Sequence, residues 1–211
     1  MKNLIYLLVL LFSFNSINAQ KKAVTETGDE VLLYDNGTWK YVDDNLNEVT
    51  EVKLNPKEFK KPSKSNFLLK STRVDVGVWL NPKEWNFEKA IDNPEAEYEI
   101  SLKGEDLYGM LITEKMSIPI SNLKDIAIEN AKLAAPDIRL VKEEYRMVNG
   151  LKMLLLEMAG TLQGIKFTYY GYYFSYDGGT IQFITYTSQS LIDSYRPKAE
   201  ELINGLVLLN D

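Results

Sequence analysis

The stretch Phe167-Thr-Tyr-Tyr-Gly-Tyr-Tyr-Phe-Ser-Tyr176 limits the possible folds of this chain more than any other. Aromatic and β-branched residues favour a strand, and side chains along a strand alternate between its two faces. Tyr170, Tyr172, Phe174 and Tyr176 therefore share one face, and Phe167, Tyr169 and Tyr173 share the other. Gly178-Gly179 turns the chain into a second β-rich run, Thr180–Ser188. Whether the loop takes 177–178 or 178–179, Ile181 and Phe183 join the first face, and Ile184 and Tyr186 the second. Each ring has roughly 150–250 Å² to bury, so four bare rings would expose roughly 600–1,000 Å². That exceeds the ~300–600 Å² of the largest patch on a typical monomer. At least one face must be covered, which makes this an interior strand of a layered structure. The competing reading is a ligand platform on the second face, with Tyr169, Tyr173 and Tyr186 exposed and Trp85 as a further ring. Gly171 would leave room for Tyr186 to lie across it.

The remaining elements supply the layers. Ile138–Val148 and Leu151–Ala159 flank Asn149-Gly150, a strong hairpin turn. Glu97–Leu102 and Leu107–Glu114 flank Lys103-Gly-Glu105, and Phe67–Ser71 and Val74–Leu80 are further strands. Residues 122–134 carry Leu123, Ile126, Ala127, Ala131 and Ala134 at helical spacing, and Pro136 stops that helix. A last helix starts near Pro197 and ends at Asn204-Gly205 with a left-handed cap. The predicted class is α+β, a largely antiparallel sheet with two main helices, preceded by a small N-terminal β-hairpin. That hairpin occupies residues 24–42, with Asp35-Asn-Gly37 as its turn. The expected organisation is a leader over 1–19, a hairpin segment over 20–50, a Lys- and Pro-containing linker over 51–65 and a domain over 66–211. Two near-copies, Leu54-Asn-Pro-Lys-Glu-Phe59 and Leu80-Asn-Pro-Lys-Glu-Trp85, read as helix starts. Asn is the cap, Pro the first helical residue, Glu the reciprocal partner, and Leu with Phe or Trp the staple.

Lys2, an apolar run from Leu4 to Phe14 and the small Ala19 before Gln20 have the pattern of a secretory signal peptide. Export, to periplasm or medium, is the expected localisation, with cleavage near Ala19-Gln20. No later stretch approaches the roughly 20 apolar residues of a transmembrane helix. The net charge of −6 gives no long-range attraction to nucleic acid.

The chain has no histidine and no cysteine, which removes His-based triads, thiol nucleophiles and nearly every zinc site. No catalytic, metal or cofactor-binding residue is assigned. Ser121-Asn-Leu-Lys124 matches the S-x-x-K of serine acylases without its companion motifs, so Ser121 or Asn122 reads as a helix cap. Glu143 and Glu144 point to opposite faces of their strand, and Glu157 falls opposite Lys142, where an ion pair is expected. Asp43–Glu48 is rich in oxygens but lacks the glycine and glutamate of a calcium loop.

Gly164-Ile-Lys-Phe-Thr-Tyr-Tyr170, then Gly179–Thr187, then Tyr195-Arg-Pro-Lys-Ala-Glu-Glu-Leu-Ile203 resembles the PsbP-like family, and Trp79–Trp85 is similar to its Pro-x-x-Trp element. The resemblance covers about 66–211. It implies an α/β/α sandwich and the role of an assembly or binding accessory, with no shared catalytic residues to carry over. Gly28 to Tyr41 resembles a short unit near the start of exported bacterial proteins, and Ile17-Asn-Ala-Gln20 is similar to signals common in Bacteroidota. The expected function is a non-enzymatic exported accessory that binds a protein or envelope component. The alternatives are a small-ligand or carbohydrate binder using the aromatics of 165–188, and a hydrolase working with carboxylates alone.

Overall fold

Hairpin turns and strand alternation determine most of what the chain builds. The computed structural model describes residues 21–25, 28, 30–34, 39–42 and 52–209. The chain divides into two units, 1–51 and 52–211. In the first, β1 (Lys21–Val24), β2 (Glu30–Leu33) and β3 (Trp39–Tyr41) form an antiparallel sheet in that order. Val31 is buried at its centre, paired with Ala23 and Tyr41, and the Trp39 and Tyr41 rings meet edge to face at 5.1 Å. The expected hairpin is thus two strands of a three-stranded sheet; β1 was not foreseen. The leader and its cleavage point, the 35–37 turn and residues 43–48 lie outside the described residues.

The second unit is built on eight strands: β4 (Leu54–Phe59), β7 (Trp85–Lys89), β8 (Ala96–Leu102), β9 (Tyr108–Glu114), β10 (Arg139–Val148), β11 (Leu151–Leu162), β12 (Ile165–Tyr176) and β13 (Gly179–Ser188). Their order is β4-β10-β11-β12-β13-β9-β8-β7, antiparallel throughout except between β4 and β10. A smaller sheet has the order β14 (Leu206–Leu208), β6 (Val76–Leu80), β5 (Phe67–Lys70). The helices are α1 (Ile120–Ala134) and α2 (Ile192–Ile203). Asn149 and Gly150, at φ 50° and 85°, make the two-residue turn that joins β10 to β11.

The aromatic strand is interior, as its composition demanded. Phe174 pairs with Ile181, so the loop is 177–178. On one face Tyr170, Tyr172, Phe174 and Phe183 pack with residues of the small sheet and α2, including Val78 and Leu202. On the other, Phe167, Tyr173, Ile184 and Met158 pack with Leu123, Ala127 and Ala131 of α1. The architecture is α+β, with a layer on each face of the main sheet.

Several local expectations give way to tertiary packing. Leu54–Phe59 is a strand, not a helix start inside a linker. A single helical turn is marginal by itself, whereas β4 bonds to the free edge of β10 and buries Phe59. Pro56 is tolerated because β4 is an edge strand. The second copy keeps its capping bonds: Asn81 Oδ1 accepts from the Lys83 amide at 3.1 Å, and its Nδ2 donates to Glu84 at 3.0 Å. One turn forms, and Trp85 then enters β7 because pairing with β8 offers more bonds than a second turn. α2 begins at Ile192, five residues before Pro197, anchored by the buried Ile192. Its end is not left-handed: Asn204 has φ −67°, and Gly205 is needed because a Cβ there would stand 2.0 Å from the Trp79 carbonyl. The N-cap of α1 is Pro119, with no side-chain cap from Ser121 or Asn122. Gly171 serves a close approach of β13, where a Cβ would lie 2.5 Å from the Phe183 carbonyl, and Tyr186 instead packs on Tyr108 and Tyr169.

Candidate functional site

Buried polar groups fall almost entirely on the α2 side of the main sheet, and there nearly all are paired, Glu201 Oε1 being the exception among the described residues. Arg146 is 3% exposed. Its Nε donates to Glu144 at 2.6 Å, and its Nη1 to Glu200 at 3.0 Å and to Tyr172 at 3.3 Å. The guanidinium lies over the Phe59 ring at 4.3 Å. Tyr170 donates to Glu200 at 2.7 Å and Tyr172 to Asn204 at 2.8 Å. Burial pushes the Tyr172 phenol up to about 12. Burial alone would also raise Glu144, but Arg146 outweighs it and holds the carboxyl below its ordinary range. Arg196 of α2 grips Glu157 at two points, 2.8 and 3.0 Å. Lys142 is the register partner of Glu157, as expected, but its ion pair is with Glu144. The reason is geometric: α2 brings a planar two-point donor across a carboxylate that Lys142 could meet at only one point.

Glu97 is a second such anchor. It accepts from the Ser71 hydroxyl (2.6 Å), the Thr72 amide (2.5 Å) and hydroxyl (2.8 Å), and the Thr113 hydroxyl (2.6 Å). Burial would raise its carboxyl, yet these four bonds together hold it low. These acids organise structure. Glu97 and Glu144 are held low by their donors, the opposite of a carboxyl kept protonated for acid catalysis.

The α1 side is different. Tyr108, Tyr186 and Tyr169, from β9, β13 and β12, form a row of rings. Tyr108 stacks on Tyr186 at 5.5 Å, and Tyr186 meets Tyr169 edge to face at 6.1 Å. Beside Tyr108 and Tyr186 lies an open cleft of about 620 Å³ that continues over Asn86, Glu88, Glu99 and Ser101. Glu88 and Glu99 face each other across β7 and β8. Like charges directly opposite are unfavourable, and among the described residues neither forms an ion pair. No Lys or Arg lines the cleft. Burial, then the charge of Glu99, raises the Tyr186 phenol, and a hydrogen bond with Asp106 raises that of Tyr108. The arrangement offers stacking faces beside uncompensated negative charge.

A second cleft, about 220 Å³, lies under α1 on the other side of Tyr169. Ala127, Ala131 and Ala134 leave the space, and Met110, Met158 and Tyr173 wall it.

The rings singled out by sequence are thereby separated. Trp85 is 1% exposed and belongs to the core on the α2 side, so it is not a surface ring. Tyr173 is also 1% exposed and lines the cleft under α1. Tyr169 and Tyr186 are half-buried, in contact, one at each cleft. Tyr108, Glu88 and Glu99 escaped notice. Alternation would have placed Glu88 and Asn86 together on one face, had Trp85–Lys89 been read as a strand. Lys124 pairs with Glu143 rather than serving Ser121. Among the described residues, no three His, Cys, Asp or Glu side chains cluster to hold a metal.

No protein-family model matches the sequence, and no curated protein matches it. Solved structures do. The solution structure of cyanobacterial PsbP, CyanoP, from Synechocystis sp. PCC 6803 is 13% identical, with a TM-score of 0.52 over 70% of this chain and 94% of that one. A protein of unknown function from Pseudomonas aeruginosa, described as a putative regulator, is 12% identical over 63% of this chain and 89% of its own, with a TM-score of 0.40. LpqN of Mycobacterium tuberculosis, described as involved in cell envelope biogenesis, is 11% identical over 72% and 82%, with a TM-score of 0.37. At these identities the CyanoP likeness is one of fold: the second unit has the PsbP-like fold. Among the described residues no helix is long and apolar enough to cross a membrane.

Proposed function

We propose that this chain is an exported, non-enzymatic accessory protein that binds a partner through the uncovered half of its main sheet. The observation that carries the reading is the tyrosine row beside Glu88 and Glu99, two opposed carboxylates with no countercharge. Like-charge pairs cost stability, and a cationic group placed between them would remove that cost while the rings receive its stem. The partner is therefore a protein or envelope component presenting Lys or Arg. Hydrolysis is disfavoured because Glu88 is exposed on an edge strand, away from the enclosed setting that holds one acid protonated. The leader pattern at 1–19 supports export, and the mature N-terminus found by mass spectrometry on fractionated cells tests it.

Titration with a lysine- and arginine-containing peptide, followed by calorimetry at two salt concentrations, tests the binding surface. The expected result is saturable, salt-weakened binding that Glu99→Lys and Tyr186→Ala each reduce about ten-fold or more. Binding insensitive to both substitutions overturns the reading. A carbohydrate reading draws on the same rings, with Asn86 and Ser101 as hydroxyl partners. Binding of neutral glycans in place of the peptide would select it.

A further inference from the structure

The cleft under α1 has no part in the reading above, and its chemistry is different. Its walls are largely apolar, with alanines of α1 on one side and Met110, Met158 and Ile184 on the other, and the neutral amides of Asn93, Asn130 and Gln182 also line it. Tyr173 closes it on the sheet side. That residue is 1% exposed, yet its hydroxyl makes no hydrogen bond among the described residues. On the opposite face of the same strand, Tyr170 and Tyr172 both have partners. Among the described residues the one sealed side-chain oxygen without a partner is Glu201 Oε1, in α2 on the other side of the sheet; the Tyr173 hydroxyl therefore opens to the cleft and can bond what enters it. The volume, about 220 Å³, exceeds the ~150 Å³ of an apolar void that accepts benzene. Methionine walls adapt to shape. The only charged lining residue is Glu95, exposed at the mouth, so an anion would find no countercharge inside.

We propose that this cleft is a binding site for a small neutral molecule, one ring or a chain of similar bulk. Its single polar group would exchange a hydrogen bond with the Tyr173 hydroxyl. The alanines at 127 and 131 then have a role besides close packing: larger side chains would fill the site.

The full chain is titrated with p-cresol and, separately, toluene, reading amide chemical shifts by NMR. These probes have the same ring and differ by one hydroxyl. The expected result is saturable shifts confined to α1 and the residues facing it, with p-cresol bound more tightly. Tyr173→Phe should weaken p-cresol about five-fold and leave toluene unchanged. Ala134→Leu, a change at the exposed rim, should weaken both at least about ten-fold while the spectrum elsewhere is retained. Absence of binding by either probe overturns the proposal, and so does a p-cresol preference that Tyr173→Phe leaves intact.

Discussion

The two faces of the main sheet carry the same strand and opposite electrostatics. On the α2 side, β12 contributes Tyr170 and Tyr172, whose hydroxyls are tied to Glu200 and Asn204. On the α1 side it contributes Tyr169 and Tyr173, whose hydroxyls have no hydrogen-bond partner among the described residues. Arg146 and Arg196 hold the first face through paired charges, and Glu97 through four hydrogen bonds from neutral donors. The second face has small side chains on its helix, an uncovered stretch over β7–β9, and two carboxylates without countercharge. Buried polar groups are stable only when satisfied, so the first face is built as structure. The second leaves donors, rings and charges unspent, which is what a recognition surface requires.

Substitutions on the two faces should separate along that line. The largest effect belongs to Arg146→Ala, which strands Glu144 and Glu200 without their buried cation. Unfolding in urea should show a loss of about 3–5 kcal/mol. Next comes Glu97→Gln, which exchanges a charged acceptor of four bonds for a neutral one. We expect a loss of about 2 kcal/mol near neutral pH. Its carboxyl titrates below its unfolded value of about 4.5, so its contribution is present above that pH and lost as pH falls through the lower folded value. Stability measured against pH should therefore drop less steeply in acid for Glu97→Gln than for the wild type. Tyr172→Phe should cost about 1–3 kcal/mol, because Asn204 and Arg146 each lose a partner. Tyr173→Phe, one residue along and on the other face, should stay within about 0.5 kcal/mol; an equal loss for both would break the comparison. One modest effect is a gain: Glu99→Gln relieves the charge opposite Glu88, and thermal melting should register about 0.2–1 kcal/mol of added stability.

Much of the fold was legible because hairpin chemistry is local. Asn149-Gly150 and the glycine-containing turn before Thr180 set the pairing of β10 with β11 and of β12 with β13, and alternation then assigned Tyr170, Tyr172 and Phe174 to one face. The site was less legible. Tyr169 and Tyr186 were picked out as rings, but the cleft also needs Tyr108, Glu88 and Glu99 from strands that neighbour one another only in the sheet. Trp85 reads both as a further ring of the platform and as the staple of a helix start, and the strand that forms there turns it into the core.

Amino-acid order alone determined which residues had to be hidden, where the chain reverses and which face of β12 each ring takes, since these depend on neighbours a few positions apart. Only the tertiary structure decided that one hexapeptide becomes an edge strand and the other a single turn, that Arg196 rather than Lys142 serves Glu157, and which tyrosine hydroxyls go without partners. Those outcomes turn on competition between distant groups for the same backbone bonds and the same charge, and such competition is resolved only when the layers close.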